Sequence, residues 1–284
     1  MNQLLLIAAI ALGAITTLAA NHSDYDKETR ETFSRTLTAS KTLDVDNING
    51  FIEVEGDGGN NVRVEGEKII RALDQAELDR AKREVTLDVN EKDGVLQLYV
   101  NGPFRQHSQP GDYHGFHLHS DHEYEVTYNL TVHVPHQMIL ALRTVNGAIR
   151  TSDTMARFDI HDVNGGITMT RAGGSGAVRT VNGAVNVSFR ENPKGNTRFQ
   201  SVNGRLAVTF QPNLTADIHY QTLNGGVFTD FEATPLASTA KVETRDGRLI
   251  IRRKQDGNVR IGAGGPQLDF ETVNGAVEIH KQAN

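Results

Sequence analysis

Apolar and polar residues alternate in short runs along most of this chain, and the runs meet at a recurring Asn-Gly. Thr144-Val145-Asn146-Gly147-Ala148-Ile149 is the first clear copy, and others centre on Asn164-Gly165, Asn182-Gly183, Asn203-Gly204, Asn224-Gly225 and Asn274-Gly275. Asp246-Gly247 is a weaker copy, and Asn49-Gly50 and Asp93-Gly94 are earlier echoes. From Gly147 onward the glycines stand 18, 18, 21, 21, 22 and 28 residues apart. A period near 20 marks a repeat architecture, in which each repeat buries its apolar face only against its neighbours.

Two residues after each glycine the side chain is aliphatic, as in Ile149, Ile167, Val185, Leu206, Val227 and Val277. Five residues before it stand Leu142, Ile160, Val178, Phe199, Tyr220, Val242 and Phe270. Period-two alternation on both sides predicts a strand before and after every glycine. The residue two before the glycine is usually Val or Leu, such as Val145 or Val181. A hairpin would turn that position away from the apolar face, so its apolar character suggests a corner at which it points inward. Stacked corners predict an all-β fold, a parallel β-solenoid (β-helix-like) of about 20-residue Val-Asn-Gly coils. Asn would stack on Asn, Thr on Thr, and Phe189, Phe210 and Phe231 on one another. The alternative is an antiparallel β-meander, because Asn-Gly is also the strongest short hairpin signal.

The N-terminal half is less regular. Residues 21–40 read as a polar lead, and 41–136 as a degenerate N-terminal part of the β-repeat domain before the regular repeats of 137–284. Thr42 to Glu55, Asn61 to Ile70, Val85 to Val89, Val95 to Val100 and Tyr124 to Val134 read as strands. One helical insertion is expected over 74–84, with Asp74 as cap, Glu77 completing a capping box, and Leu78, Ala81 and Val85 as a narrow apolar stripe.

Residues 1–20 carry no charged side chain, Leu4 to Ala14 is apolar, and Thr17-Leu18-Ala19-Ala20 offers small residues for cleavage. This is the pattern of a secretory signal peptide, so export to the periplasm, outer envelope or exterior is expected. The alternative is a retained N-terminal membrane anchor. The chain of 284 residues has no Cys, which excludes disulfides, thiolate nucleophiles and thiolate metal sites. Its net charge of −6 argues against nucleic acid as a partner.

Candidate chemistry is sparse. The segment 107–122 holds His107, His114, His117, His119 and His122, with Asp112 and Asp121 among them. In an alternating stretch His117 and His119 would share a face, so a divalent metal could be bound. Spacings of 7, 3, 2 and 3 fit no single helical face, which favours a polar surface loop with solvated histidines over a metal site. Ser238-Thr239-Ala240-Lys241 matches a Ser-x-x-Lys motif, but that motif needs the start of a helix and here it enters a strand. Gly173-Gly174-Ser175-Gly176-Ala177 fails the nucleophile-elbow pattern at its last position. No catalytic, cofactor-binding or metal-ligating residue is assigned from the sequence.

The Val-Asn-Gly-Ala-Val repeats, following Tyr128-Asn129-Leu130-Thr131-Val132-His133-Val134-Pro135, resemble the bacterial "putative adhesin" family of β-strand-repeat proteins over roughly residues 40–280. The resemblance implies an exported, non-enzymatic protein with a β-helix-like fold, and it transfers no functional residues. The expected role is a structural or interaction module of the cell envelope, with an envelope protein or a polysaccharide as partner. The alternatives are a polysaccharide-acting β-helix enzyme and a metal-binding module built on 107–122. The last repeat ends at Lys281, so an uncovered strand edge there is expected to allow self-association.

Overall fold

The computed structural model describes residues 25–105, 123–236 and 256–283, and the backbone of 241–245 and 248–252. Among the described residues the fold is all-β, with one α-helix of ten residues and a 3-10 turn at Pro103–Arg105. Strands form two mixed sheets of twelve and eleven members. Seven of the Asn-Gly dipeptides, all but Asn101-Gly102, join a strand of one sheet to a strand of the other, so the described residues make seven two-strand units named here by their asparagine. They are the Asn49 unit (Thr42–Asp46 and Ile52–Asp57), the Asn146 unit (Ile139–Asn146 and Ile149–Ser152) and the Asn164 unit (Phe158–Asn164 and Ile167–Ala172). The Asn182 unit is Gly176–Asn182 and Val185–Phe189, and the Asn203 unit is Thr197–Asn203 and Leu206–Phe210. The Asn224 unit is Ala216–Asn224 and Val227–Thr229, and the Asn274 unit is Gln267–Asn274 and Val277–Lys281.

Neighbouring units pair parallel and in register. Leu142, Ile160, Val178, Phe199, Phe270 and Tyr220 are successive partners in one sheet. Ile149, Ile167, Val185, Leu206, Val277 and Val227 are successive partners in the other. Both rows belong to one buried cluster between the sheets, and each member is 3% exposed or less. Burying such a side chain contributes about 1.5–3 kcal/mol, so the stacked rows hold the sheets together.

The corner differs from the sequence expectation in its side-chain directions. Val181, Val202, Leu223 and Val273 point outward, at 38–53% exposure. Alternation continues without a break up to the asparagine: Val178 and Thr180 face in, so Val181 faces out. The inward Thr or Ser is satisfied by its neighbour, because Thr180 Oγ1 donates to the Gly165 carbonyl at 3.0 Å and Ser201 Oγ to that of Gly183 at 2.9 Å. Thr272 and Thr222 repeat the bond to Gly204 and Gly275 at 3.1 and 3.2 Å.

Glycine is required at the corner by close approach. A Cβ on Gly183 would lie 1.9 Å from the Gly165 carbonyl oxygen, and one on Gly204 would lie 1.8 Å from that of Gly183. The corner N–H groups bond to the adjacent unit, as Gly183 N does to the Asn203 carbonyl at 3.0 Å. The two Asp-Gly copies are different. Asp93 and Gly94 have φ of 52° and 77° and join antiparallel strands Thr86–Lys92 and Val95–Asn101. This is the geometry of a type I′ hairpin. Lys241–Arg245 and Arg248–Arg252 likewise pair antiparallel around the second Asp-Gly. Both readings of the dipeptide therefore occur in one chain.

Units do not stack in sequence order. The Asn274 unit lies between the Asn203 and Asn224 units in both sheets. This corrects the expectation of an uncovered edge at the last repeat, because both strands of that repeat are paired on both sides. It also separates Phe231 from the aromatic column. Phe189 and Phe210 stack at 5.2 Å with 6° between rings, but the partner of Phe210 on its other side is Lys281. The sheet margins are instead Lys27–Thr38 and Thr86–Lys92 at one end, and Lys241–Arg245 and Ala233–Pro235 at the other.

The expected polar lead contains a twelve-residue strand, Lys27–Thr38, paired antiparallel with Asn61–Ala72. Its inner row, Glu31, Phe33, Arg35 and Leu37, is too polar to read as a strand, yet Phe33 covers Gly66 from the opposite position. The helix Gln75–Glu84 is where the sequence placed it, with Asp74 Oδ1 accepting from Glu77 N at 2.8 Å and Leu78 and Ala81 buried. Glu77 does not close a capping box; its carboxylate pairs with Arg80 at 3.5 Å. Residues 1–20 and 107–122 lie outside the described residues.

Candidate functional site

The outward residues at the corners form one surface feature. In stacking order Val163, Val181, Val202, Val273 and Leu223 make an aliphatic ridge across five consecutive units. Strand alternation puts them on the outer face, and β-branched residues suit a half-exposed strand position. A cleft of ≈520 Å³ runs along the ridge. On one side stand the exposed asparagines, and on the other a row of polar side chains two residues back.

The asparagines form a continuous ladder. Asn146 donates to Asn49 at 2.8 Å, Asn164 to Asn146 at 2.9 Å and Asn182 to Asn164 at 2.9 Å. Asn203 then donates to Asn182 at 2.8 Å, Asn274 to Asn203 at 2.7 Å and Asn224 to Asn274 at 2.8 Å. Every bond runs from Nδ2 to Oδ1 in the same direction. An amide side chain can donate to one neighbour and accept from the other, which an ionised carboxylate cannot, so the ladder favours Asn over Asp at the corners.

The polar row on the other side is also linked between units. Arg179 lies 2.6 Å from His161 Nε2 and donates to Gln200 at 3.0 Å, and Gln200 donates in turn to Glu271. Burial, reinforced by the Arg179 guanidinium, holds the His161 imidazole below its ordinary pKa. Arg179 also pairs with Asp159 at 3.0 Å. The cleft thus has an aliphatic floor and a fixed polar wall bearing both signs of charge.

Asp162 interrupts one column. It occupies the inward position that holds Thr or Ser in the neighbouring units and is 3% exposed. Neither carboxylate oxygen has a hydrogen bond among the described residues. Burial pushes its pKa up to about 7, opposed by the nearby backbone N–H groups of Val163 and Asn164.

Of the sequence candidates, His107, His114, His117, His119, His122, Asp112 and Asp121 lie outside the described residues, as do Ser238, Thr239 and Ala240. Ser175 sits in the loop before Gly176–Asn182 and accepts from Gly195 N at 2.9 Å, a structural contact. The ridge was not foreseen as a surface. Its signal is present, since the apolar residue two before most of the corner glycines falls on the polar side of strict alternation, Ile48 being the buried exception. A bend at the corner would turn the same residues inward, so the pattern alone does not reveal an exposed apolar row.

No protein-family model matches the chain, and no curated protein does. Among solved structures it is similar to a "putative cell adhesion protein" from Clostridium sporogenes ATCC 15579, with 12% identity over 90% of this chain and 100% of that one, at TM-score 0.44. A "putative adhesin" from Bacteroides fragilis NCTC 9343 gives 9% identity over 88% and 97%, at TM-score 0.28. A "putative lipid binding protein" from Parabacteroides distasonis ATCC 8503 gives 10% identity over 89% and 97%, at TM-score 0.26. Likenesses this distant assign no function.

Proposed function

We propose that the protein is an exported, non-enzymatic interaction module of the cell envelope, whose seven corner units form a short β-solenoid and whose aliphatic ridge docks a partner protein. The ridge carries this reading. Four aliphatic side chains on consecutive units, at 38–53% exposure, form an apolar row flanked by hydrogen-bonded polar rows. An apolar centre with a satisfied polar rim is the make-up of a protein interface. The exposed large apolar residues among those described are all Leu or Val, so the face offers no aromatic platform for a sugar ring. That favours a protein over a polysaccharide. Export is supported by the apolar, uncharged character of residues 1–20.

The test is a photo-cross-linking amino acid placed at position 202 on the ridge and, separately, at position 209 on the other sheet, in the native host. The expected result is a discrete protein adduct in the envelope fraction from position 202 alone. Equal adducts from both positions, none from either, or a cytoplasmic protein with residues 1–20 retained would overturn the proposal.

A further inference from the structure

A second cavity, of ≈390 Å³, lies at the opposite end of the molecule from the Asn224 unit. It falls within the size range of small-molecule sites, about 300–1,000 Å³. Its walls are Phe33 and Arg35 of Lys27–Thr38, Lys68 of Asn61–Ala72, Tyr128 of Tyr124–Pro135, and Val85 and Leu87 below the helix end. Lys68 is the unusual member. Alternation along its strand sends Val62, Val64, Ile70 and Ala72 into the core, and Lys68 occupies the same inward row at 7% exposure.

The protein only partly satisfies this ammonium. One N–H donates to the Val85 carbonyl at 2.7 Å, at the C-terminal end of the helix, where the helix dipole favours a cation. The Tyr128 ring, its cross-strand neighbour, lies 5.8 Å from Nζ. No carboxylate forms an ion pair with Lys68 among the described residues. Glu31, also in the cavity wall, pairs with Lys82 at 3.4 Å. Burial, with some help from Lys82, lowers the Lys68 pKa, and Glu31 opposes this. Arg35 adds a second cation at the wall and makes no hydrogen bond or ion pair among the described residues. A buried charge short of partners is costly unless something completes its shell. Two cations with donors to spare stand beside Phe33, Leu87 and the Tyr128 ring, and this combination calls for an anion joined to an apolar body.

We propose that this cavity binds an aliphatic monocarboxylate of the fatty-acid type, its carboxylate paired with Lys68 and Arg35 and its chain against Phe33, Leu87 and Tyr128.

Calorimetry of the full chain with decanoate, decanol and decyltrimethylammonium, each below its aggregation limit, tests the proposal. Decanoate is expected to bind one per chain, at least about tenfold more tightly than decanol, with the cationic surfactant not binding at this site. Lys68→Met and Arg35→Gln should each weaken decanoate at least about tenfold while leaving decanol unchanged. If Lys68→Met fails to fold, the comparison of the three probes on the unaltered chain still decides. No saturable decanoate binding, equal affinity for decanoate and decanol, or undiminished decanoate binding by a folded Lys68→Met protein would each overturn it.

Discussion

Asn274 donates its side-chain amide to Asn203 at 2.7 Å across 71 residues of sequence. The bond is one rung of an otherwise ordinary ladder, yet it places the last repeat in the middle of the stack. Leu268 and Phe270 pair with Thr197 and Phe199 on one side and with Ile218 and Tyr220 on the other. The chain must therefore leave a gap after residue 210, build the Asn224 unit beyond it, and return to fill it.

Deletion of residues 267–284 should accordingly disrupt the whole regular region rather than fray one end. It would expose apolar rows of the Asn203 and Asn224 units at once. The expected outcome is loss of a cooperative thermal transition, followed by circular dichroism. Hydrogen exchange on the intact chain supplies a second measure: amides of 268–280 should be protected as strongly as those of 178–188. Rapid exchange at 268–280 would rule out the inserted position.

The ladder itself can be tested at Asn182, which donates to Asn164 at 2.9 Å and accepts from Asn203 at 2.8 Å. Asn182→Asp keeps the size and the acceptor but removes the donor, and sets a carboxylate against the Asn164 oxygen. A loss of about 1–2 kcal/mol at neutral pH is expected, more than for Asn182→Ala. Denaturant unfolding of both variants checks this; equal effects would mean that the amide bonds contribute little beyond packing.

Much of this arrangement was legible in the sequence because stacking repeats the same demand at each unit. The Asn ladder, the aliphatic rows and the helix capped by Asp74 all follow from local chemistry that recurs or stands next to its signal. What escaped was order and direction. Nothing near Asn274 distinguishes a terminal unit from an inserted one, since both need the same strand pattern. The outward Val row obeys alternation, but an apolar residue is easily assigned inward. Lys68 was detectable as a cation in phase with Val62, Val64 and Ile70, though only after its strand had been placed.

At most corners the glycine meets a different demand from the one a hairpin would make, Gly50 with φ of 109° being an exception. Gly183 does not lie in the left-handed region, so backbone freedom is not its reason. A methyl group there would sit 1.9 Å from the Gly165 carbonyl oxygen, a backbone atom held on both sides by the stack. Gly183→Ala should therefore cost about 1–3 kcal/mol or more, as for overpacking of a rigid interior. The melting temperature measures it, and an unchanged value would show that the corners can separate.

The last prediction concerns pH and Asp162. Its carboxyl titrates at about 7 in the folded chain, because burial disfavours the charged form, against an ordinary value of 3.8. The folded state thus holds a proton that the unfolded state has released, and this contribution is fully present below pH about 4. It is lost as pH rises through about 7, where a charge forms without a hydrogen-bond partner. Thr180, one unit away, shows what suits the position: a hydroxyl that donates to the neighbouring glycine carbonyl at 3.0 Å. Asp162→Thr should consequently stabilise the protein, and by more at pH 8 than at pH 5. The difference between the two gains is expected to be on the order of 1–3 kcal/mol, below the full value of the shift because water and small backbone movements relieve part of the burial. His161 beside it is common to both proteins, so its own titration cancels to first order. Urea unfolding of the two chains at both pH values decides the matter. A gain that does not change with pH would mean that the Asp162 carboxylate is solvated or hydrogen-bonded when charged.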